Sequence, residues 1–589
     1  MKEGRNHMKH LSRRDFMKST AAGALSLGLM SLTGCASAGE STAAETSANA
    51  ATSTTAAPEN LAPAADGIAW DKEVEVIVVG TGTVCNAAVA ASEFGATSVL
   101  VLEKSEFMFG GTSVTSGAGF ALPPTVDDIR RTDIEYTRED ALAYLKQCGE
   151  GRMDEEPMIA YLDTANEYCQ WAKKTFGWHH FGRKSKGFGD YYDMYSKSIP
   201  GGYGTGACYP MNEEGKAYSP SEHWDFYRNY IDNHDNIELL MGTAADELIT
   251  DESGRVIGLY AIQGDKKLAF KATRGVILGT GSFDFNESMR KYFLPFPLVR
   301  SVASSQCTGD GHRMASQIGA QMAYMDRVYG MPMVYDKTTW TEEDNHNYSI
   351  FASASPRDMD IAYYITMPHS IMVNRKGKRF SNENRLYDCY YRAFSSYDTG
   401  SGLYENIPAY WVCDSSYAEK YKMPGNSTID ALPEYVFKFD TLEELADSMG
   451  IDKENLLAEV ARYNGYVAAG YDPDYHTGES EVAMNTYHQV STWMKLDYDG
   501  SDVQTPTDLL GDIVKPPFYS CRFVPGSIST RGGIRTNGSS QALNVKGEII
   551  PGLYATGCCS AGISGYIAGG MPIATGCIMS YIAGKHIMA

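Results

Sequence analysis

The sequence predicts an α/β fold of more than one domain, built on a parallel sheet. Three observations carry that reading. An apolar run, Val74–Val79, is followed by a glycine turn, a helical pattern from about Cys85 and a second apolar run, Ser98–Leu102; strand, helix and strand at that spacing form a parallel βαβ unit. Strand-and-glycine elements return downstream as "GVILGTGSF" (Gly275–Phe283) and, near the C-terminus, "GLYATG" (Gly552–Gly557). The length, 589 residues, exceeds what one hydrophobic core organises.

The first unit carries the most chemistry. Gly80 makes the tight turn after the first strand, and Gly82 lets the backbone approach a pyrophosphate at the helix N-terminus. Glu103 closes the second strand 23 residues after Gly80, where an acid accepts the ribose hydroxyls of an adenosine. The third glycine of such a loop is replaced by Cys85, a small side chain near the limit of what a helix–strand contact admits. Strand, helix and acid in register predict a bound dinucleotide. A nicotinamide dinucleotide needs this unit alone. A chain that adds "GGTSVTSGAG" (Gly110–Gly119), "TGDGHRMASQIGA" (Thr308–Ala320) and "GLYATG" is holding a longer ligand, and FAD fits.

The N-terminus reads as an address. "SRRDFMK" (Ser12–Lys18) precedes a short apolar run, "AAGALSLGLMSL", the pattern of a twin-arginine export signal; the run is too short for a lasting membrane helix. "LTGC" then ends at Cys35 and resembles a lipobox, which makes residues 1–35 the signal and Cys35 a lipid-bearing N-terminus on the outer face of the cytoplasmic membrane. The alternative is cleavage after "ASA" (Ala36–Ala38) to a soluble exported, periplasmic protein. Residues 36–69, rich in Ala, Thr and Ser, cannot bury a core and form a disordered linker. Twin-arginine systems move folded proteins, which suits a chain that takes up a cofactor before export.

Bulk numbers narrow the classes. A net charge of −22 argues against nucleic acid and anionic lipid as partners; it suits a basic electron-transfer partner, and it equally serves solubility. None of the 12 cysteines falls in CxxC or CxxCH, so no attached haem, zinc pair or ferredoxin-type cluster run is expected, and no metal. Cys558 and Cys559 are adjacent, as a vicinal disulfide or, the expectation here, as small apolar filler. Among 39 tyrosines, the clusters Tyr191, Tyr192, Tyr195 and Tyr363, Tyr364 suit the wall of a pocket for a flat organic molecule or a core.

The glycine elements in this order, with "VNRKGKRFSNE", "ARYNGYVAAGYDPDY" and "KGEIIPGLYATG", resemble the flavoprotein family of soluble fumarate reductases, urocanate reductases and 3-oxosteroid dehydrogenases, over about residues 70–589. The resemblance implies a Rossmann-like FAD-binding domain, discontinuous over 70–325 and 516–589, with an inserted α+β capping domain at 326–515. It implies non-covalent FAD contacted around Gly80, Gly82, Glu103, Lys104, Gly111, Thr112, Ser113, Ala118, Ala245, Gly281, Asp310, Gly557, Ile573 and Ala574. It also locates the positions where fumarate reductases clamp and protonate a dicarboxylate. The donor arginine, four residues after the Glu of "NE", falls at Tyr387; the clamp histidine falls at Ser529 and the clamp arginine at Ala568. Arg385 and Arg531 stand nearby as partial replacements.

Tyr387 matches the 3-oxosteroid dehydrogenases, in which a Tyr-Asp at this spacing takes part in proton transfer, and "STRGGIRTN" resembles their "GT-x-GG" segment. Their C-terminal carbonyl-holding tyrosine falls near Ala568, with Tyr566 a candidate replacement, and their backbone donor falls at Pro572, which has no N–H. The resemblance therefore implies Tyr387, Tyr566, Arg385 and Ser529 as the catalytic set. A phenol with a pKa near 10 is a ready acid at neutral pH, and as a base it needs help to ionise, from Arg385 or a tyrosine chain.

The leading expectation is an exported FAD-dependent reductase of an activated alkene, an enone or enoate that is uncharged or aromatic, in an anaerobic respiration. With no haem motif in the chain, a separate cytochrome or flavoprotein supplies electrons. The alternatives are 3-oxosteroid dehydrogenase-type desaturation and, in another class, a non-catalytic ligand-binding lipoprotein.

Overall fold

The computed structural model describes residues 67–116, 119–130, 135–182, 206–341, 344, 352–353, 364–384, 387–479, 484, 487, 494, 496, 503–563 and 570–589, without the side chains of 206–207, 352–353 and 387–389. The expectations for residues 1–66, the tyrosines at 191, 192, 195 and 363, and Ala118, Arg385, Tyr566 and Ala568 lie outside the described residues.

The first sheet grows from the βαβ unit. Strand β1 (Lys72–Val79) pairs in parallel with β2 (Val99–Leu102), Val76 opposite Val99 and Val79 opposite Leu102. β2 reads VLVL and is buried throughout, as a parallel strand covered on both faces must be. Ile237–Leu240 adds to β2 in parallel, Lys266–Leu278 to β1, and Ile549–Ala555 to Lys266–Leu278. Antiparallel strands Thr243–Thr250, Val256–Gln263 and Gln541–Leu543 complete eight.

Between β1 and β2 runs α1 (Cys85–Glu93), whose residues from Cys85 to Ala91 are all buried. Its sequence, CNAAVAASE, is small-residue on every side because the helix is sandwiched. The C-terminal helix Met571–His586 packs on it so closely that a Cβ on Gly584 would lie 2.4 Å from the Ala87 carbonyl oxygen. Cys85 meets the steric demand of its place: it is fully buried and its thiol donates to the Thr81 carbonyl at 3.1 Å.

The second sheet has seven strands around one long member, Phe518–Thr530. Its first half pairs antiparallel with Ala409–Cys413 and Phe437–Phe439. Its second half pairs antiparallel with Val328–Val334 and parallel with Arg300–Ser301. Tyr364 belongs to the buried core beside this sheet.

The two sheets are joined at Asp284, whose side chain is fully buried. Its carboxylate accepts hydrogen bonds from Ser282 Oγ at 2.6 Å, Ser301 Oγ at 2.7 Å and the Thr530 backbone N–H at 2.8 Å, and a further one from Ser527 Oγ. Ser282 follows a strand of the first sheet; the other three donors sit on strands of the second.

A second buried cluster explains the charged motif "VNRKGKRFSNE". Arg379 binds Glu383 with both arms, Nε at 2.9 Å and Nη2 at 2.6 Å, and reaches Asp472 at 2.9 Å and Thr477 at 3.0 Å. The rings of Tyr463 and Tyr475 lie 4.8 and 5.1 Å from its guanidinium carbon. Burial alone would lower the Arg379 pKa, and the two carboxylates outweigh it and raise it. Burial likewise pushes Asp472 up, while the Arg379 hydrogen bond and charge hold it below its ordinary value.

Arg379→Ala is expected to cost about 3–5 kcal/mol, because it leaves two buried carboxylates unpaired; denaturant unfolding that moves by less than about 1 kcal/mol would refute this role. The stabilisation by Asp472 is complete above its unfolded-state pKa and fades as pH falls through its lower folded value.

Candidate active site

One cavity of about 280 Å³ opens at the C-terminal ends of the parallel strands, the place where open α/β sheets bind ligands. Gly80 starts it. Its N–H donates to the Leu102 carbonyl at 2.7 Å, its φ is +104°, and a Cβ there would stand 2.4 Å from the Gly279 carbonyl oxygen. Any other residue would force the two loops apart. A Cβ on Gly82 would approach Ser113 Oγ to 3.3 Å and narrow the cradle.

Glu103 lies on the wall, 8% exposed. Thr81 Oγ1 donates to its Oε2 at 2.6 Å and the Ser105 N–H to its Oε1 at 2.8 Å. Each oxygen keeps a lone pair for a further donor, so the acid is oriented and still able to accept ribose hydroxyls. Lys104 also lines the wall; its ammonium donates to Thr308 at 2.7 Å and to Asp310 at 2.7 Å. Asp310 opens the helix Asp310–Gln317, so this pair ties β2 to a second wall of the cavity.

Gly111, Thr112 and Ser113 line the cavity in the short helix Gly111–Thr115. Thr112 Oγ1 accepts the Ser304 N–H at 2.8 Å and lies 3.4 Å from Cys307 Sγ. Burial raises the Cys307 pKa. Ala245, Gly281, Gly557 and Ile573 complete the set that reaches the wall, while Ala574 sits one residue deeper in its helix, fully buried and off the wall. The sequence reading missed Thr81, Thr243, Ser304, Cys307 and Tyr329, which also line it. Only Thr81, inside the Gly80–Gly82 turn, and Cys307, just before "TGDG", stood close enough to a motif to be found.

Of the expected catalytic set, Ser529 is on the wall with Tyr329, Ile528, Cys558 and Pro572. Ser529 faces Tyr329 across paired strands, and the Cys558 thiol donates to its Oγ at 3.6 Å. Both Cys558 and Cys559 are free thiols; Cys559 is buried, and burial pushes its pKa up to about 11, so the pair is filler and wall. Tyr387 begins the helix Tyr387–Ala393. That helix sits on the strand beside the cavity, with the Tyr391 ring where a Gly330 Cβ would be, at 2.1 Å, and with Arg392 paired to Glu150. Arg531 is buried off the wall, its Nη2 donating to the Ile563 carbonyl at 2.6 Å. Among the described residues lining the cavity, Lys104 is the one cationic side chain, and no group of His, Cys, Asp or Glu among the described residues could hold a metal.

The glycine cradle and the oriented acid fit FAD. A family model described as "FAD binding domain" matches residues 75–570. The chain is 28% identical to 4-oxocyclohexanecarboxylate 2-dehydrogenase of Sinomonas cyclohexanicum, covering 87% of this chain and 92% of that protein. It is 25% identical to digoxin reductase of Eggerthella lenta, covering 98% and 97%. The crystal structure of 3-ketosteroid delta1-dehydrogenase from Sterolibacterium denitrificans in complex with 1,4-androstadiene-3,17-dione superposes with a TM-score of 0.71 at 26% identity, covering 88% of this chain and 99% of that one.

Glu103→Ala is expected to lower the flavin-to-protein ratio of purified protein, read from absorbance; an unchanged ratio would remove Glu103 from ribose binding.

Proposed function

The chain belongs to the FAD binding domain family, and from that premise we propose the direction and substrate of an FAD-dependent oxidoreductase acting on CH–CH bonds. The protein reduces a carbon–carbon double bond activated by an adjacent carbonyl, in an enone or enoate other than fumarate. FAD is held without a covalent bond. The carrying observation is the wall around Ser529: among the described residues, Tyr329, Ile528 and Cys558 stand there, and none of them is charged. A dicarboxylate needs cations at this place; a neutral or aromatic alkene does not.

When bound, FAD supplies hydride transfer at its N5. Gly80 and Gly82 leave room for the pyrophosphate, and Glu103 takes the ribose. Thr112 and Ser113, in the short helix Gly111–Thr115, would face FAD from the next wall. Tyr387 protonates the substrate's α-carbon, with Arg385 beside it in sequence tuning the phenol. Tyr566 stands in for the carbonyl-holding tyrosine of the steroid enzymes.

A second reading, desaturation of a ring ketone, draws support from the names of two relatives, both dehydrogenases of cyclic ketones. The relative named as a reductase matches the chain over nearly its whole length, which favours the reductive direction. The protein is exported, anchored through lipid on Cys35, and receives electrons from a cytochrome or flavoprotein that docks on an acidic surface, consistent with the net charge of −22.

Two measurements test this. The chemically reduced flavoprotein, mixed anaerobically with fumarate, urocanate, cinnamate-type acids and 3-oxo-4-ene steroids, is expected to reoxidise with a neutral or aromatic alkene and not with fumarate, and Tyr387→Phe to slow that reoxidation at least about 100-fold. Reoxidation by fumarate would overturn the substrate assignment, and bleaching of the oxidised form by a saturated 3-oxosteroid would reverse the direction. Cys35→Ala is expected to move the protein from the membrane fraction to the soluble fraction; a wild-type protein already soluble would refute the anchor.

A further inference from the structure

Pro572 and Ser529 both line the cavity. Pro572 is in the first turn of the helix Met571–His586, where backbone N–H groups point at a ligand, and as a proline it offers none. Ser529 is 4% exposed. Its Oγ accepts the Cys558 S–H at 3.6 Å, and its own proton meets no acceptor among the described residues. A thiol is a weak donor and a weaker acceptor. One lone pair of the hydroxyl is engaged by sulfur, which leaves the O–H to point away from Cys558, and Ser529 and Cys558 both line the cavity. Accepting one hydrogen bond also strengthens the one a hydroxyl donates.

We propose that Ser529 donates the hydrogen bond to the substrate's carbonyl oxygen, and that Cys558 is the positioning residue that turns the serine proton into the cavity. This rests on the carbonyl-bearing substrate proposed above. As the β-carbon gains a hydride, the π electrons move to that oxygen, and the resulting enolate is neutralised when the α-carbon takes its proton. A donor fixed at the oxygen favours that charge.

The test uses the FAD-loaded protein and para-substituted phenols, from 4-methoxyphenol to 4-cyanophenol, as stand-ins for an enolate oxygen. Binding is read from the long-wavelength absorbance of the flavin. Wild type should bind the more acidic phenols more tightly. Ser529→Ala should weaken 4-cyanophenol about tenfold or more, the loss expected for one hydrogen bond to a charged oxygen. Cys558→Ala should weaken it by a smaller factor, about threefold, and Cys558→Ser, which keeps a donor to Ser529, should restore wild-type binding. Flavin content is measured for each variant. Equal binding in wild type and Ser529→Ala, no phenol binding by wild type, or loss of flavin in Ser529→Ala would each overturn the assignment. Fumarate reoxidation together with the expected phenol series would sink the substrate reading and leave the donor in place.

Discussion

The buried carboxylate of Asp284 is the constraint on which the cavity depends. It gathers Ser282 from the end of one sheet and Ser301, Ser527 and the Thr530 N–H from the other. The segment just before it, Gly279–Ser282, is one wall of the cavity, and Ile528 and Ser529, between two of its donors, are another. A buried carboxylate is tolerable when its lone pairs are satisfied by short, directed donors. Its anion therefore demands that both walls stay within hydrogen-bond reach of one point. Flavin chemistry needs ligand and protein groups fixed to a fraction of an ångström, and Asp284 supplies that fixity without putting a charge on the wall.

Charge is handled differently in the two parts of the chain. Around Arg379 the protein buries a cation with two carboxylates and stacks it between Tyr463 and Tyr475. That cluster ties "VNRKGKRFSNE" to the turn after the helix Lys453–Ala469 and fixes the start of the segment that leads to Tyr387. Near the cavity, Lys104 is matched to Asp310 and the wall near Ser529 holds hydroxyl, thiol and apolar groups. In both places the charges are matched by partners close in space.

How much of this was legible follows from how local each signal is. The βαβ unit was legible almost to the residue: Val99 rather than Ser98 begins β2, and α1 starts at Cys85 as expected. Periodicity, a turn glycine and an acid at strand end lie within one short window. Ser529 was placed by its motif, and it is on the wall. Asp284 was not seen, because a lone aspartate after "GTGSF" carries no pattern until residues more than 200 positions away, Ser527 and Thr530, come beside it. Arg379 lies inside the motif "VNRKGKRFSNE", but its partner Asp472, 93 residues on, was invisible for the same reason. Cys558 looked like filler; its contact with Ser529 exists only because the turn Gly557–Cys559 comes against the strand Phe518–Thr530.

The backbone contact between α1 and the helix Met571–His586 has a bearing on how the molecule is made. On the ribosome, the Gly80–Gly82 turn emerges long before Gly584, the residue that covers its helix. Until then α1, built largely of small side chains, is uncovered on the face that Gly584 meets, and the wall formed by Gly557 and Ile573 does not exist. The nascent chain cannot enclose the nucleotide part by part. Loading has to await the helix Met571–His586, and a ribosome that stalls before it leaves an open half-site with part of α1 uncovered, a natural target for chaperones and proteases.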